Sequence, residues 1–173
     1  MRRDTQRGKV YDAEALVRRV FDRADEYGVR QLELLGSTIT LPIERRFASV
    51  ESVQSYVDSV LALNWVRAQW KRAYVPVSVR QRAGQQAAHY EVETATIAVP
   101  LHVGARAWAL RELVVLHELA HHLEPSELDV APHGQEFVAR YLELVAELVG
   151  VEAGLLIRST MAECGVRIGS GAH

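Results

Sequence analysis

Apolar residues recur at every third or fourth position over several stretches of the chain, a spacing that predicts amphipathic helices. The first stretch covers residues 5–27 and ends before Gly28, a residue type that often terminates a helix. A second begins after Ser49, a favourable N-cap, and continues or restarts through two tryptophans. The same spacing predicts two more helices, over residues 133–149 and 152–163.

Other stretches have the composition and alternation of strands. Residues 31–41 are rich in Leu, Ile and Thr and are interrupted by a Gly-Ser pair, so they predict one strand or two short ones. Apolar and polar residues alternate over residues 77–80, and residues 89–99 predict one long strand. Gly84 lies between them and can form a turn, so the two stretches together indicate a hairpin. The long strand would lead into an apolar helix that starts near residue 104 or 105. It could pair with an extended peptide or simply complete the core.

These elements predict an α+β fold in which a small, mostly antiparallel sheet packs with several helices. A length of 173 residues fits a single domain over residues 1–173. Residues 165–173 are rich in glycine and predict a frayed tail. The composition is that of an ordinary soluble globular protein, with 49% hydrophobic residues and a net charge of −2, and it indicates no special class.

The cysteine content and the N-terminal sequence indicate the cellular compartment. The single cysteine, Cys164, excludes an internal disulfide and a multi-cysteine zinc finger, and it is compatible with a reducing compartment. The charged N-terminus is not followed by an apolar run, so no secretory signal is predicted. No stretch approaches the length of a membrane span. We therefore expect a cytoplasmic protein with no membrane partner.

The strongest chemical signal is an HExxH motif at residues 117–121. On a helix, His117 and His121 project from one face one turn apart, so both imidazoles can reach one metal ion. Glu118 flanks that position and can act as a general base toward a water bound to the metal. The pattern predicts a zinc site with its base built in.

A polar stripe on a surface helix is the alternative interpretation of the two histidines. The residues around them are apolar on nearly every face, which predicts a buried helix. Buried imidazole and carboxylate groups need partners to offset their lost hydration, and a metal ion is such a partner. This setting favours metal binding.

A catalytic zinc usually takes three protein ligands and keeps a fourth position open. His133 is the favoured third ligand, because it begins the next helix after a loop that can reverse direction and Gly134 leaves room beside it. Glu136 or Glu143 would supply a thermolysin-like arrangement instead, and His133 could also be a structural histidine. His122 points away from the two motif histidines and is expected to be structural.

The residues HELAHH followed by APHGQEF resemble the SprT-like and Spartan-type zinc metalloproteases. The resemblance covers residues 89–141. Nearly the whole chain is similar to a small actinobacterial-type family of HExxH metallohydrolases. These resemblances imply a zincin-like minimal metalloprotease core, one Zn²⁺ per chain held by His117, His121 and His133, and Glu118 as base. The single cysteine departs from relatives that carry a cysteine-rich zinc ribbon, so DNA-linked protease work is not implied.

We expect a zinc-dependent metallopeptidase in which a zinc-bound water attacks a peptide bond of a peptide or protein substrate. The residue that stabilises the oxyanion stays open among four candidates: Tyr90, His122, Arg140 and Tyr141. The alternatives are a zinc hydrolase of a non-peptide amide or other small substrate, and a non-catalytic metal-containing binding module. Substrate, cleavage preference and oligomeric state stay undetermined.

Nucleic acid is a weaker candidate partner. Residues 1–82 contain 15 Lys and Arg against 10 Asp and Glu, whereas residues 83–173 contain 5 against 12. A basic half can attract nucleic acid. The cationic residues considered for such contacts are interspersed with acidic ones, which favours a solvated surface, and they are Arg45, Arg46, Arg67, Lys71, Arg72, Arg80 and Arg82.

Overall fold

The computed structural model describes residues 2–84, 87–100, 110–127 and 129–170. The chain forms two compact units. The terminal unit consists of Met1–Glu44 and Asp129–His173, and the central unit consists of Arg45–Leu128. The assignment of one domain to the whole chain stays a prediction.

Helices and small sheets are mixed along the chain, so the α+β class is confirmed. The helices are α1 (Arg7–Tyr27), α2 (Val50–Leu61), α3 (Asn64–Gln69), α4 (Glu112–His122), α5 (Gln135–Leu148) and α6 (Val151–Glu163), and a 3-10 helix spans Lys71–Tyr74. The strands are β1 (Gln31–Leu34), β2 (Ser37–Thr40), β3 (Ser78–Arg82), β4 (His89–Glu91) and β5 (Thr96–Pro100). Within the part of the chain that the structure describes, no helix has the length and apolar character needed to cross a bilayer.

The terminal unit packs α6 against both α1 and α5. Gly28 ends α1 in the left-handed conformation, as predicted. The strands β1 and β2 form an antiparallel hairpin whose turn residues, Leu35 and Gly36, both have positive φ, as in a two-residue type I′ turn. The predicted interruption of residues 31–41 is therefore confirmed, but it lies at Leu35-Gly36 and not at the Gly-Ser pair.

Residues 165–170 are anchored to the terminal unit. The Arg167 N–H donates to Gln6 Oε1 at 2.6 Å, the Gly169 N–H donates to the Gln135 carbonyl at 3.1 Å, and Val166 is buried. The predicted frayed tail is therefore wrong over these six residues, because glycine content did not reveal partners far away in the chain. Residues 171–173 of that prediction lie outside the described residues.

The central unit contains a three-stranded sheet in the order β3-β5-β4. β5 pairs parallel with β3 and antiparallel with β4. The predicted long strand over residues 89–99 is wrong, because a turn at residues 92–95, with Ala95 at φ 47°, divides it into β4 and β5. The hairpin therefore lies between β4 and β5, and not across Gly84.

Helix α2 begins as predicted at Ser49, whose side chain accepts from the Ser52 N–H at 3.1 Å in a capping box. Further along α2, the Gln54 side chain extends to the outer edge of β3. Its Nε2 donates to the Val77 carbonyl at 2.8 Å, and its Oε1 accepts from the Val79 N–H at 2.7 Å. The amide thus occupies the edge positions that a neighbouring strand would use.

The tryptophans after α2 belong to the packing of the central unit, as expected. Trp65 and Trp70 contact each other edge to face, with ring centroids 5.8 Å apart, and Trp70 is buried. Helix α4 packs against β4 and α2.

Candidate metal centre

Helix α4 carries the HExxH motif and is buried over Glu112–Ala120, as its apolar sequence predicts. It begins at Glu112, because Arg111 is extended with φ −95° and ψ 143°. The start predicted near residue 104 or 105 is therefore too early for α4, and residues 101–109 lie outside the described residues. Leu123 ends the helix two residues before Pro125, as predicted.

The two motif histidines contact each other through their ring nitrogens. His117 Nε2 and His121 Nε2 are 3.2 Å apart, and the ring centroids are 5.0 Å apart. Two nitrogens at about 2.0–2.1 Å from one tetrahedral zinc ion lie about 3.4 Å from each other. The observed separation matches this value, so the pair is suited to hold one metal ion.

Glu118 lies between the two histidines in sequence and is only 5% exposed. On an α-helix it is rotated by about 100° from His117, so it flanks the face that carries the two imidazoles. A carboxylate at that position can take a proton from a water molecule that the metal binds.

His122 is fully buried and uses both ring nitrogens within the central unit. Its Nε2 donates to the carbonyls of Arg72 and Val75, each at 3.0 Å, so Nδ1 is the nitrogen that accepts from the Tyr90 hydroxyl at 2.8 Å. Burial, together with the positive charge of Arg72, lowers the pKa of His122 to about 4. His122 is thus a neutral structural residue, in agreement with the expectation.

Arg72 completes this network. Its Nε donates to the His122 carbonyl at 2.6 Å, and its Nη2 donates to the Tyr90 hydroxyl at 3.2 Å. The last turn of α4 is therefore tied to β4 and to the 3-10 helix. The Tyr90 hydroxyl proton is engaged with His122, which argues against Tyr90 as the oxyanion donor.

The N-terminal end of α4 is fixed by its first residue. The fully buried Glu112 carboxylate accepts from the Arg45 N–H at 3.0 Å, from Arg45 Nη1 at 2.7 Å and from the Tyr56 hydroxyl at 2.5 Å. Both ends of the motif helix are thus held by polar contacts of the central unit. Such support keeps the imidazoles of one face in a constant geometry.

His133 lies in the terminal unit, two residues before α5, and is buried. The helix predicted from residue 133 begins at Gln135, so His133 lies in the turn before the helix. The ring contacts Tyr11 and Phe137, with centroid distances of 5.3 Å and 5.1 Å. His133 Nδ1 is 2.6 Å from Asp4 Oδ2, so Nδ1–H donates to the carboxylate and Nε2 is the nitrogen that a metal would bind.

Asp4 is a hydrogen-bond partner of His133 that the sequence did not reveal. It is 129 positions from His133, and a single aspartate in a charged N-terminal segment has no pattern of its own.

The two carboxylates considered as alternative third ligands both lie on α5. Glu136 lies over the start of α5, where its Oε1 accepts from Gln135 Nε2 at 3.3 Å. Glu143 is half-buried on α5.

Tyr141 is buried, and burial together with the negative charge of Glu14 raises its pKa. Tyr141 also forms a hydrogen bond with Glu14, which argues against it as an oxyanion donor. Arg140 is buried on the same helix.

Gly134 separates His133 from α5 and allows a tight backbone turn. A Cβ atom at Gly134 would lie 3.1 Å from the Ala131 carbonyl oxygen and 3.0 Å from Glu136 Oε2. The need for glycine at this position is therefore accounted for by the turn that precedes α5.

Several of the basic side chains considered for nucleic acid make contacts within the central unit. Arg45 pairs with Glu112, Arg80 pairs with Glu91, and Arg67 Nε donates to the Leu61 carbonyl at 2.9 Å. These contacts account for three of the residues by local structure. Nucleic-acid binding stays a prediction.

Comparison with known proteins identifies no relative, since no family model, curated protein or solved structure matches the chain. The resemblance to SprT-like metalloproteases and to the actinobacterial-type family therefore stays a prediction.

Proposed function

We propose that the protein is a zinc-dependent hydrolase, and specifically a metallopeptidase with a zincin-like core. In this proposal His117, His121 and His133 bind one zinc ion, and Glu118 is the general base. The observation that carries it is the 3.2 Å separation of His117 Nε2 and His121 Nε2 on a buried helix that also carries Glu118.

The donor set supports zinc. In this proposal each of the three histidines supplies one ring nitrogen to the ion. Neutral imidazoles are ligands that zinc accepts readily, and three of them leave a tetrahedral ion with one position for a water molecule or a substrate. Calcium and magnesium prefer oxygen ligands, so they are disfavoured by the same set.

A zinc ion held by these residues would polarise a substrate carbonyl and lower the pKa of water. Glu118 then removes a proton from the attacking water and delivers it to the leaving nitrogen of an amide. A purely structural metal site would have no use for such a base, and it would usually have a fourth protein ligand. Glu118 therefore favours a hydrolase over a binding module.

Zinc content tests the ligand set. We expect elemental analysis of the untagged protein to give about one zinc per chain, retained in Glu118→Gln and largely lost in His117→Ala and His133→Ala. His89→Ala is the matched control, because His89 is half-buried in β4 and contacts Arg82 and Glu91. Full retention of zinc in His133→Ala would mean that the third ligand is a carboxylate and not His133. Absence of zinc from the wild type would reject the proposal.

Cleavage of a peptide library tests the reaction. The zinc-loaded wild type is expected to cleave peptides, and Glu118→Gln to bind zinc equally well but lose nearly all activity. Cleavage of small amides without cleavage of any peptide would favour the non-peptide alternative. Equal activity of Glu118→Gln and the wild type would reject the role of the base.

A further inference from the structure

We propose that Asp4 is a positioning residue that orients His133 for metal binding, so that the N-terminal segment is part of the metal centre. This inference depends on the proposed zinc site and adds a residue that the HExxH motif does not contain. Asp4 acts through His133 and does not itself contact the metal.

The contact between the two side chains is short and directional. Asp4 Oδ2 lies 2.6 Å from His133 Nδ1, and the His133 side chain is 7% exposed. A hydrogen bond to a carboxylate fixes which ring nitrogen carries the proton and limits rotation of the ring. The Asp4 contact thus assigns metal binding to Nε2 and holds that nitrogen in one direction.

A second contact from the same segment holds the backbone of His133. Gln6 Nε2 donates to the His133 carbonyl at 3.1 Å and to the Arg167 carbonyl at 3.3 Å, while Gln6 Oε1 accepts from the Arg167 N–H at 2.6 Å. Gln6 is buried. Residues 4–6 therefore fix both the ring and the main chain of His133.

The aromatic rings around His133 restrict its movement further. Tyr11 on α1 and Phe137 on α5 contact the imidazole, at 56° and 70° to its plane. These contacts confine the ring, whereas the choice of tautomer depends on an acceptor for one of the ring N–H groups. Asp4 supplies that selection.

A simple structural tie between the N-terminus and α5 would not need a carboxylate. Asp4 Oδ1 is buried and has no hydrogen-bond partner among the described residues, which is costly for a charged group. Gln6 already ties the segment down through neutral hydrogen bonds. The carboxylate of Asp4 is therefore explained by a role at His133, where it fixes the tautomer and the orientation of the ring.

Zinc affinity, measured by competition with a chromophoric chelator, tests this role. We expect Asp4→Ala to lower the affinity about 10–100-fold, as is typical for partners of metal-binding histidines, and Asp4→Asn to lower it less because the amide oxygen still accepts from Nδ1–H. Asp12→Ala, an exposed aspartate on α1, is the matched control and should bind as the wild type does. Thermal unfolding of the metal-free variants shows that each is folded.

A second measurement needs no metal. The ¹⁵N shifts of the His133 ring in the metal-free protein should show the proton on Nδ1 in the wild type and a mixture of tautomers in Asp4→Ala. Should Asp4→Ala be unstable, Asp4→Asn tests the carboxylate itself: its zinc affinity should be lower than that of the wild type, and unchanged affinity would overturn the role of Asp4.

The outcomes separate this inference from the proposed function. Unchanged zinc affinity in Asp4→Ala and Asp4→Asn, together with loss of zinc in His133→Ala, would overturn the role of Asp4 alone. Absence of zinc binding in the wild type would reject both proposals. Restored affinity in Asp4→Asn relative to Asp4→Ala is expected only if the contact with His133 matters.

Discussion

The Tyr90 hydroxyl donates a 2.8 Å hydrogen bond to Nδ1 of the buried His122, and this contact connects the central sheet to the last turn of the motif helix. It joins an edge strand to the residue that directly follows His121. Since His122 Nε2 is bonded to backbone carbonyls, Tyr90 is the partner of the remaining ring nitrogen.

Tyr90→Phe is therefore expected to act on stability. The substitution leaves a buried ring nitrogen without its donor, which costs about 1–3 kcal/mol in the free energy of unfolding. Urea denaturation of the metal-free protein measures this loss, with Tyr27→Phe as a control because Tyr27 is exposed. Unfolding curves for Tyr90→Phe that superimpose on those of the wild type would contradict the prediction.

The stability of the protein should decline in alkaline solution because of Tyr56. Burial and the hydrogen bond to Glu112 raise the pKa of Tyr56 above its usual value near 10. As the pH rises above about 10, the unfolded chain loses a proton that the folded protein keeps, so the free energy of unfolding falls.

Tyr56→Phe tests this explanation. The decline in the free energy of unfolding between pH 9 and pH 11 is expected to become shallower than in the wild type, and Tyr141, whose pKa is also raised, accounts for part of what remains. Tyr74→Phe should leave the slope unchanged, since Tyr74 is exposed. An identical slope in Tyr56→Phe and the wild type would exclude Tyr56 as a cause.

The close approach of α5 and α6 depends on a glycine. A Cβ atom at Gly154 would lie 2.9 Å from Ala146 Cβ, too near for either helix to stay in place. Gly154→Ala should lower the free energy of unfolding by about 1–3 kcal/mol through overpacking. Gly8→Ala on α1, where nothing lies within 4 Å, is the matched control and should be neutral or stabilising. Equal thermal midpoints for Gly154→Ala and Gly8→Ala would contradict this packing.

Zinc should stabilise the folded protein if the proposed site is correct. A ligand at about 100 times its dissociation constant adds about 2.7 kcal/mol when it binds only the folded state. We expect added zinc to raise the thermal midpoint of the wild type, and a chelator to reverse the effect. Magnesium should have no such effect. An equal increase in His117→Ala would show that zinc binds somewhere else.

Local patterns predicted most of the helices and the placement of His117 and His121 on one helix face. The step of four between His117 and His121, the cap at Ser49 and the stop at Gly28 depend on residues that are neighbours in sequence, so their geometry follows from helix periodicity alone. The same is true of the ring contact between the two motif histidines. These features needed no information from distant parts of the chain.

Long-range pairing could not be predicted in the same way. The turn at residues 92–95 interrupts a run of residues with high strand propensity. The parallel partner of β5 is β3, and β4 lies between these two strands in the sequence. Asp4 and His133 are joined only by the packing of the terminal unit, and the contacts of Arg167 and Gly169 are equally remote. Contacts of this kind depend on the tertiary fold.

The side-chain amide of Gln54 has a consequence for the behaviour of the protein at high concentration. By bonding to Val77 and Val79, it imitates a strand where the sheet would otherwise expose unpaired backbone groups. Exposed strand edges are the usual templates for edge-to-edge aggregation, and one well-placed glutamine blocks the outer edge of β3 at these positions. A surface helix thus protects the sheet from self-association without adding a strand to it.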